Sequence, residues 1–146
     1  MPEPKEEFDS LRLEEQLCFP LYAAEREMRS IYRPLLDEIG LTYTQYLVML
    51  VLWEHGEKSV KELGGLLCLD SGTLTPVLKS LEAKGLVTRK KSTEDERVVT
   101  ASPTESGTAL RSLAADIPSR IKGSLALDEA EAFELYRLLY KILGIE

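Results

Sequence analysis

Apolar residues recur every third or fourth position over most of the chain. Between Leu11 and Glu38 they fall at Leu17, Leu21, Ala24, Met28, Ile31 and Leu35, a period that predicts one long amphipathic helix. Asp9 or Ser10 can cap its start and Gly40 suits its stop. Pro20 interrupts this stretch: it lacks an N–H and crowds the carbonyl of Gln16, so a kink or a later start is expected near it. Thr42 with Gln45 forms a capping box for a second helix ending near Gly56, and Ser59 with Glu62 another for a short third helix through Leu67. A fourth helix follows from about Ser71 to Lys84, closed by Gly85, with Thr75-Pro76 as an alternative start. After Gly85 the pattern changes. LVTRKK and RVVTAS are short and rich in β-branched residues, and the charged STEDE between them reads as a hairpin tip. Thr104 caps a fifth helix to about Lys122, and Asp128 with Glu131 opens a sixth that ends near Leu143.

The fold class is therefore mainly α with a small β-hairpin. A helix, a tight turn, a second helix and a hairpin is the layout of a winged helix-turn-helix, here over residues 42–102. The remaining helices lie in 9–40 and 103–146. The sixth carries Phe133, Leu135, Tyr136, Leu138, Leu139, Ile142 and Leu143 on more than one face, so a single neighbour cannot bury them all. The fifth adds Leu110, Leu113, Ile117 and Ile121. With the first helix these residues predict an interface between two copies. A two-fold homodimer is what a helix-turn-helix protein needs to read two half-sites of a pseudo-palindromic duplex.

The chain has 146 residues and a net charge of −7, which argues at first against nucleic acid. The charge is uneven. From Ser71 to Lys91, the bases Lys79, Lys84, Arg89, Lys90 and Lys91 face one acid, Glu82, a net +4 that leaves −11 for the rest. This segment covers the fourth helix and the hairpin, the two elements that a winged helix places on double-stranded DNA. Lys79, Arg89, Lys90 and Lys91 are its candidate phosphate contacts. The hydroxyls of Ser71, Thr73 and Thr75 can reach phosphates or base edges. Two Cys and one His cannot fill a four-ligand Cys/His zinc site, and no metal or cofactor is expected. The longest apolar run, Tyr46 to Trp53, is eight residues, too short to span a membrane. The start, MPEPKEEFDS, is acidic and has no apolar centre, so it does not read as a signal peptide. A cytoplasmic protein with reduced thiols is the expectation.

Cys18 is the candidate reactive group. In a helix beginning near Leu11 it lies about two turns in, where the helix dipole has faded, so hydrogen bonds would have to stabilise its thiolate. Tyr22 is four residues on and shares its face. Tyr32 is fourteen on, close to the same face but about 21 Å along the axis, so it can reach Cys18 only on a second copy of the chain. Tyr43, at the start of the second helix, is a third possible donor. The alternative for Cys18 is a buried, inert thiol. His55 reads as a surface or capping residue, Trp53 as core or interface, and Tyr46 as packing within the second helix.

The strings LCFPLYAAEREMRSIYRPLLDEIGLTYTQYLVMLVLWEHG, DSGTLTPVLKSLEAKGLVTRK and EDERVV resemble the MarR family of transcription regulators. Within it they are most similar to the organic-hydroperoxide-sensing branch. The likeness runs from about Leu13 through Thr104, within a single chain of 1–146. It implies that Asp95 orients Arg97 from the wing into the minor groove. It also implies that Cys18 is the redox sensor, held at the dimer interface by tyrosines matching Tyr22, Tyr32 and Tyr43. The signal would be an organic hydroperoxide, with a low-molecular-weight thiol as a possible second reactant, and oxidation would release the operator. The chain departs from two-cysteine members because its C-terminal helices lack a resolving Cys. Cys68, just before the fourth helix, is expected to be a small core residue and dispensable. Two rival functions remain. One is a repressor of the same family released by a reversible phenolic or acidic ligand between the first, second and fifth helices. The other is a thiol peroxidase, which the absence of a paired redox motif and the basic fourth helix argue against.

Overall fold

The computed structural model describes residues 8–145. The signal-peptide reading of the N-terminus falls almost wholly outside them. The element order is α1 (Cys18–Asp37), α2 (Tyr43–His55), β1 (Lys58–Ser59), α3 (Val60–Leu67), α4 (Ser71–Ala83), β2 (Val87–Lys91), β3 (Val99–Pro103), α5 (Glu105–Ala114), α6 (Ile117–Ser124) and α7 (Glu129–Leu143). The chain divides between Ala115 and Asp116 into two compact units.

The expected first helix starts seven residues late. Two 3-10 turns, Asp9–Leu11 and Leu13–Glu15, precede it, and Leu17 is its N-cap, so neither Asp9 nor Ser10 caps it. Pro20 explains this start. As the third residue of α1 it lies where an N–H has no helical acceptor, so it is free of cost there and costly further in. Cys18 consequently becomes the first residue of the helix rather than one two turns inside.

In the first unit the core forms where α2, α3, α4 and the sheet meet. Val48, Met49, Leu52, Leu63, Leu74, Leu78, Leu81, Val87 and Ala101 are all at most 1 % exposed. Each large side chain among them contributes about 1.5–3 kcal/mol of burial. The eight-residue apolar run is the body of α2, enclosed on several sides. Both capping boxes ahead of α2 and α3 form as the sequence predicts, and so does that of α7. The fourth helix starts at Ser71 on an Asp70 cap, whose Oδ1 accepts the Thr73 N–H at 2.7 Å; the Thr75-Pro76 alternative is not used.

The hairpin forms, with two differences from expectation. Its second strand begins at Val99, so Arg97 and Val98 belong to the tip. A third strand, β1, pairs antiparallel with β3 in the order β1-β3-β2. The expected fifth helix is two helices, α5 and α6, because Pro118 sits in the first turn of α6 and starts a new helix after Ala114. In the second unit, Ile117 and Ile121 are buried, whereas every apolar residue of α7 is exposed or partly so, Phe133 at 68 % and Ile142 at 60 %.

Cys68 overturns its expected role as a small core residue. It is exposed and sits in the left-handed region at φ 55°, closing α3 with its N–H on the Gly64 carbonyl. A glycine is preferred there, since a β-carbon costs about 1 kcal/mol in this conformation. Cys68→Gly should raise stability by about that amount and leave any oxidative response unchanged. Thermal unfolding beside an operator-release assay checks both parts. Gly64 itself is required one turn earlier, because a β-carbon on it would lie 2.6 Å from the Leu69 carbonyl oxygen.

Candidate sensor and nucleic-acid interface

The four candidate sensor residues fall in two places on the chain. Cys18 and Tyr22 lie at the start of α1, both exposed, with the Arg26 guanidinium 5.6 Å from the Tyr22 ring centre. Tyr32 lies on the far half of α1, with its ring 5.1 Å from that of Tyr43 in an edge-on pair and 5.8 Å from that of Tyr46. Along one helix the two groups are separated by about 21 Å, so Cys18 and Tyr32 of one chain do not meet. In the single chain Cys18 is exposed rather than part of the core. It stands at the first residue of α1, not two turns inside the helix as the sequence predicts.

Tyr46 joins this cluster although its sequence pointed only to packing. The signal was its spacing: three residues after Tyr43, it shares that helix face. The three phenols are held in their neutral form. Burial, then the neighbouring Tyr43 and Tyr46, push Tyr32 up to about 12. Burial and the Glu25 carboxylate raise Tyr43, with Arg29 opposing, and burial and Tyr43 raise Tyr46. Glu25 and Arg29 are ion-paired one turn apart on α1. A phenol that keeps its proton is a hydrogen-bond donor, which a thiolate requires. Tyr32 should therefore ionise last in an alkaline titration. Because its pKa is raised by folding, the stability it confers is present below about pH 10 and is lost as the pH rises towards about 12. Ultraviolet absorbance of tyrosinate should show a late-titrating step that Tyr32→Phe removes.

Of the nucleic-acid candidates, Ser71, Thr75 and Arg97 line one cleft. Ser71 and Thr73 are exposed on the first turn of α4, and Lys79, Lys90 and Lys91 are exposed as well. Thr75 is half-buried and its hydroxyl donates to the Ser71 carbonyl at 2.8 Å, which leaves only its oxygen lone pairs for a ligand. A cleft of about 580 Å³ between α3, the start of α4 and the wing is lined by Ser71, Thr75 and Arg97 together with Lys61. Lys61 escaped the sequence reading because it lies outside the basic segment. It lies on α3, the first helix of the helix-turn-helix pair.

At the wing tip, Arg97 donates from Nε and Nη2 to the two Asp95 carboxylate oxygens at 3.1 and 3.2 Å, and its backbone N–H donates to Oδ1 at 3.0 Å. These bonds hold Asp95 below the usual carboxylate range and so keep it charged. The Arg97 side chain is still 91 % exposed. Arg89 differs from the expectation of an open phosphate contact. Glu82 binds it at 3.0 and 3.4 Å, fixing β2 to α4. Lys84 is likewise engaged within the fold. Two of the five bases that make the segment positive thus serve internal contacts first.

Among the described residues no group of three or more His, Cys, Asp or Glu could hold a metal ion, and no helix is long and apolar enough to cross a membrane. A family model described as transcriptional regulator SarA/Rot matches residues 30–112. The organic hydroperoxide resistance transcriptional regulator of Bacillus subtilis is 52 % identical over 136 residues, covering 93 % of this chain and 92 % of that one. Solved relatives include reduced AbfR of Staphylococcus epidermidis bound to DNA, 32 % identical, covering 92 % of both chains with a TM-score of 0.79. Disulfide-formed AbfR is 33 % identical with a TM-score of 0.60, covering 92 % of this chain and 90 % of that one. A winged helix carrying a cysteine at the start of α1, matched to these relatives over nearly its whole length, makes the chain a member of the MarR-type transcriptional regulators, in their organic-hydroperoxide-resistance branch.

Proposed function

We propose that this chain is a dimeric cytoplasmic repressor that holds a pseudo-palindromic DNA operator and releases it when an organic hydroperoxide oxidises Cys18. The observation that carries the reading is the exposed Cys18 at the start of α1, with a cluster of neutral phenols at the other end of the same helix. In a dimer whose α1 helices run antiparallel, the Tyr32–Tyr43 cluster of one copy comes beside Cys18 of the other. Phe19 and Tyr22, left exposed near the start of α1, supply apolar surface for such pairing.

The chemistry follows from the thiolate. The sulfur attacks the outer peroxide oxygen, the O–O bond breaks, and Cys18 becomes a sulfenic acid while the peroxide leaves as an alkoxide that takes up a proton. A low-molecular-weight thiol can then condense with the sulfenic acid to give a mixed disulfide and water. Either product is larger than the thiolate and accepts hydrogen bonds differently, so the phenols must rearrange. This displaces α1 and α2, and the two recognition helices no longer match their half-sites. The regulator consumes one peroxide per signal and has no turnover cycle.

Fluorescence anisotropy with a duplex selected by the reduced protein tests this reading. Reduced protein should bind, and cumene hydroperoxide should release the duplex with one oxygen added at Cys18 by mass spectrometry. Retention of the duplex by fully oxidised protein would sink it. For the DNA face, Arg97→Ala should weaken operator binding about ten-fold or more, the worth of a charge-assisted contact, with unchanged stability because the tip carries no core. Lys61→Ala should lower the slope of log affinity against log salt by about one per protomer if it neutralises a phosphate. The rival, release by a reversible phenolic or acidic ligand, has a recess of about 260 Å³ lined by Arg29, Arg33, Thr42, Tyr43 and Thr44 in its favour. Such a ligand would act as well on protein lacking Cys18.

A further inference from the structure

Gln45 is the one polar side chain buried among the described residues, at 4 % exposure. Its amide is almost fully bonded. Oε1 accepts from the Thr42 backbone N–H at 3.0 Å and from Lys84 Nζ at 2.8 Å, and Nε2 donates to Ser80 Oγ at 2.8 Å. Lys84 Nζ also donates to the Gly40 carbonyl at 2.7 Å. Gln45 thus joins the capping turn of α2 to the end of α4, and Lys84 extends the network to the turn after α1.

A capping box needs only the bond between the Gln45 amide oxygen and the Thr42 N–H, together with the reciprocal Thr42 bond. The bonds to Ser80 and Lys84 are additional, and they fall on the end of α4 remote from its Asp70 cap and the Ser71–Thr75 turn. Tyr43 lies inside the same capping turn, between Thr42 and Gln45, with its ring against Tyr32. A displacement of Tyr43 therefore moves the turn that carries Gln45, and the amide takes the C-terminal end of α4 with it. In a low-dielectric site a half-broken amide network is costly, so the junction moves as a unit or rearranges as one. Thirteen residues of α4 then transmit the shift over about 20 Å to the DNA-facing turn.

We propose that Gln45, with Ser80 and Lys84, is the positioning junction that couples the tyrosine cluster to the recognition helix. The proposal rests on the sensor reading given above and names how its signal leaves the site. Neither Cys18 nor DNA touches the junction in this scheme.

Ser80→Ala combined with Lys84→Met removes both bonds from α4 to Gln45 and leaves the capping box in place. Three quantities decide the matter in the full chain: the rate of Cys18 oxidation by cumene hydroperoxide, the operator Kd of reduced protein, and the Kd after oxidation. The double variant should oxidise at the wild-type rate. Its ratio of oxidised to reduced Kd should fall from the wild-type value, about 5–150 for coupling between sites, to near one. An unchanged ratio overturns the proposal, even where both affinities drop, because a joint loss is what packing alone gives. If circular dichroism finds the double variant unfolded, Lys84→Met alone changes an exposed side chain and should lower the ratio in the same direction; an unchanged ratio there is equally fatal. Wild-type protein that keeps its operator after complete oxidation would sink the sensor reading itself, and the junction with it.

Discussion

Cys18→Ser should bind the operator as the wild-type protein does and remain bound after organic hydroperoxide is added. The first half follows from position. Cys18 begins α1, outside α4, the wing and the cleft that gathers Ser71, Thr75, Lys61 and Arg97. Serine is close in size, and a hydroxyl at the first position of a helix is well tolerated, so the fold should not change. The second half follows from chemistry, because a serine hydroxyl does not take an oxygen atom from a peroxide. Allosteric release is worth about 5–150-fold in affinity, and this variant should lose all of it. Fluorescence anisotropy on reduced and peroxide-treated samples reads both halves. If Cys18→Ser releases DNA as readily as wild type, the redox reading fails and the ligand-released repressor takes its place. The tyrosines should behave differently. On the proposed sensor reading, replacing Tyr22, Tyr32 or Tyr43 by Phe should slow oxidation and raise the dose without abolishing the response.

Much of the helical layout was readable because several helices carry their own start signal. Thr42 with Gln45, Ser59 with Glu62, and Asp128 with Glu131 form capping boxes that the fold retains. The start of α1 was harder. Periodicity alone favoured Leu11, and Leu13 and Leu17 extend the apolar spacing without being buried. Pro20 held the answer: a proline fits the first turn of a helix far better than its second or third, and that places Cys18 at the helix end. The division of the fifth helix at Pro118 follows the same rule. The strand β1 was not readable, because two residues give no period and its pairing is set by β3.

For the site, residue types were more legible than their relations. Cys18 and three tyrosines were evident, but which of the tyrosines touch one another depends on tertiary packing. Tyr46 looked like core and is also part of the phenol cluster. Charge counting picked out a basic segment as the candidate DNA contact but could not tell Lys90 and Lys91, which are open, from Arg89 and Lys84, which bond inward. A sum of charges is blind to geometry, and Glu82 lies close enough in sequence to have been suspected as the partner of Arg89. Cys68 misled for a related reason: free cysteine is commonly buried, and only the backbone angle after α3 reveals that this one occupies a position suited to glycine.

Gly107→Ala should destabilise the protein by about 3 kcal/mol or more, against the direction that helix propensity gives. Gly107 is the third residue of α5, and in an open helix alanine is the better residue by about 1 kcal/mol. Here a β-carbon would stand 2.1 Å from the Leu86 carbonyl oxygen, 3.0 Å from its carbon and 3.3 Å from the Met49 methyl. The first two are backbone atoms and cannot swing aside. Nor can the helix slide away freely. The Leu86 oxygen accepts the Thr104 N–H at 3.0 Å, Thr104 Oγ1 donates to the Gly85 carbonyl at 2.6 Å, and Trp53 Nε1 donates to the Gly107 carbonyl at 2.8 Å. This seam joins α5 to the turn before the wing and to α2, so opening it breaks three bonds to relieve one clash. For a chain of this size the loss corresponds to a fall in Tm of roughly 10 °C. Gly123, in α6, serves as the control, because a β-carbon on it would meet no atom within 4 Å. Gly123→Ala should be neutral or more stable by up to about 1 kcal/mol. Equal Tm values for the two alanine variants would mean that the seam yields, and that the approach of α5 to Leu86 does not constrain the base of the wing.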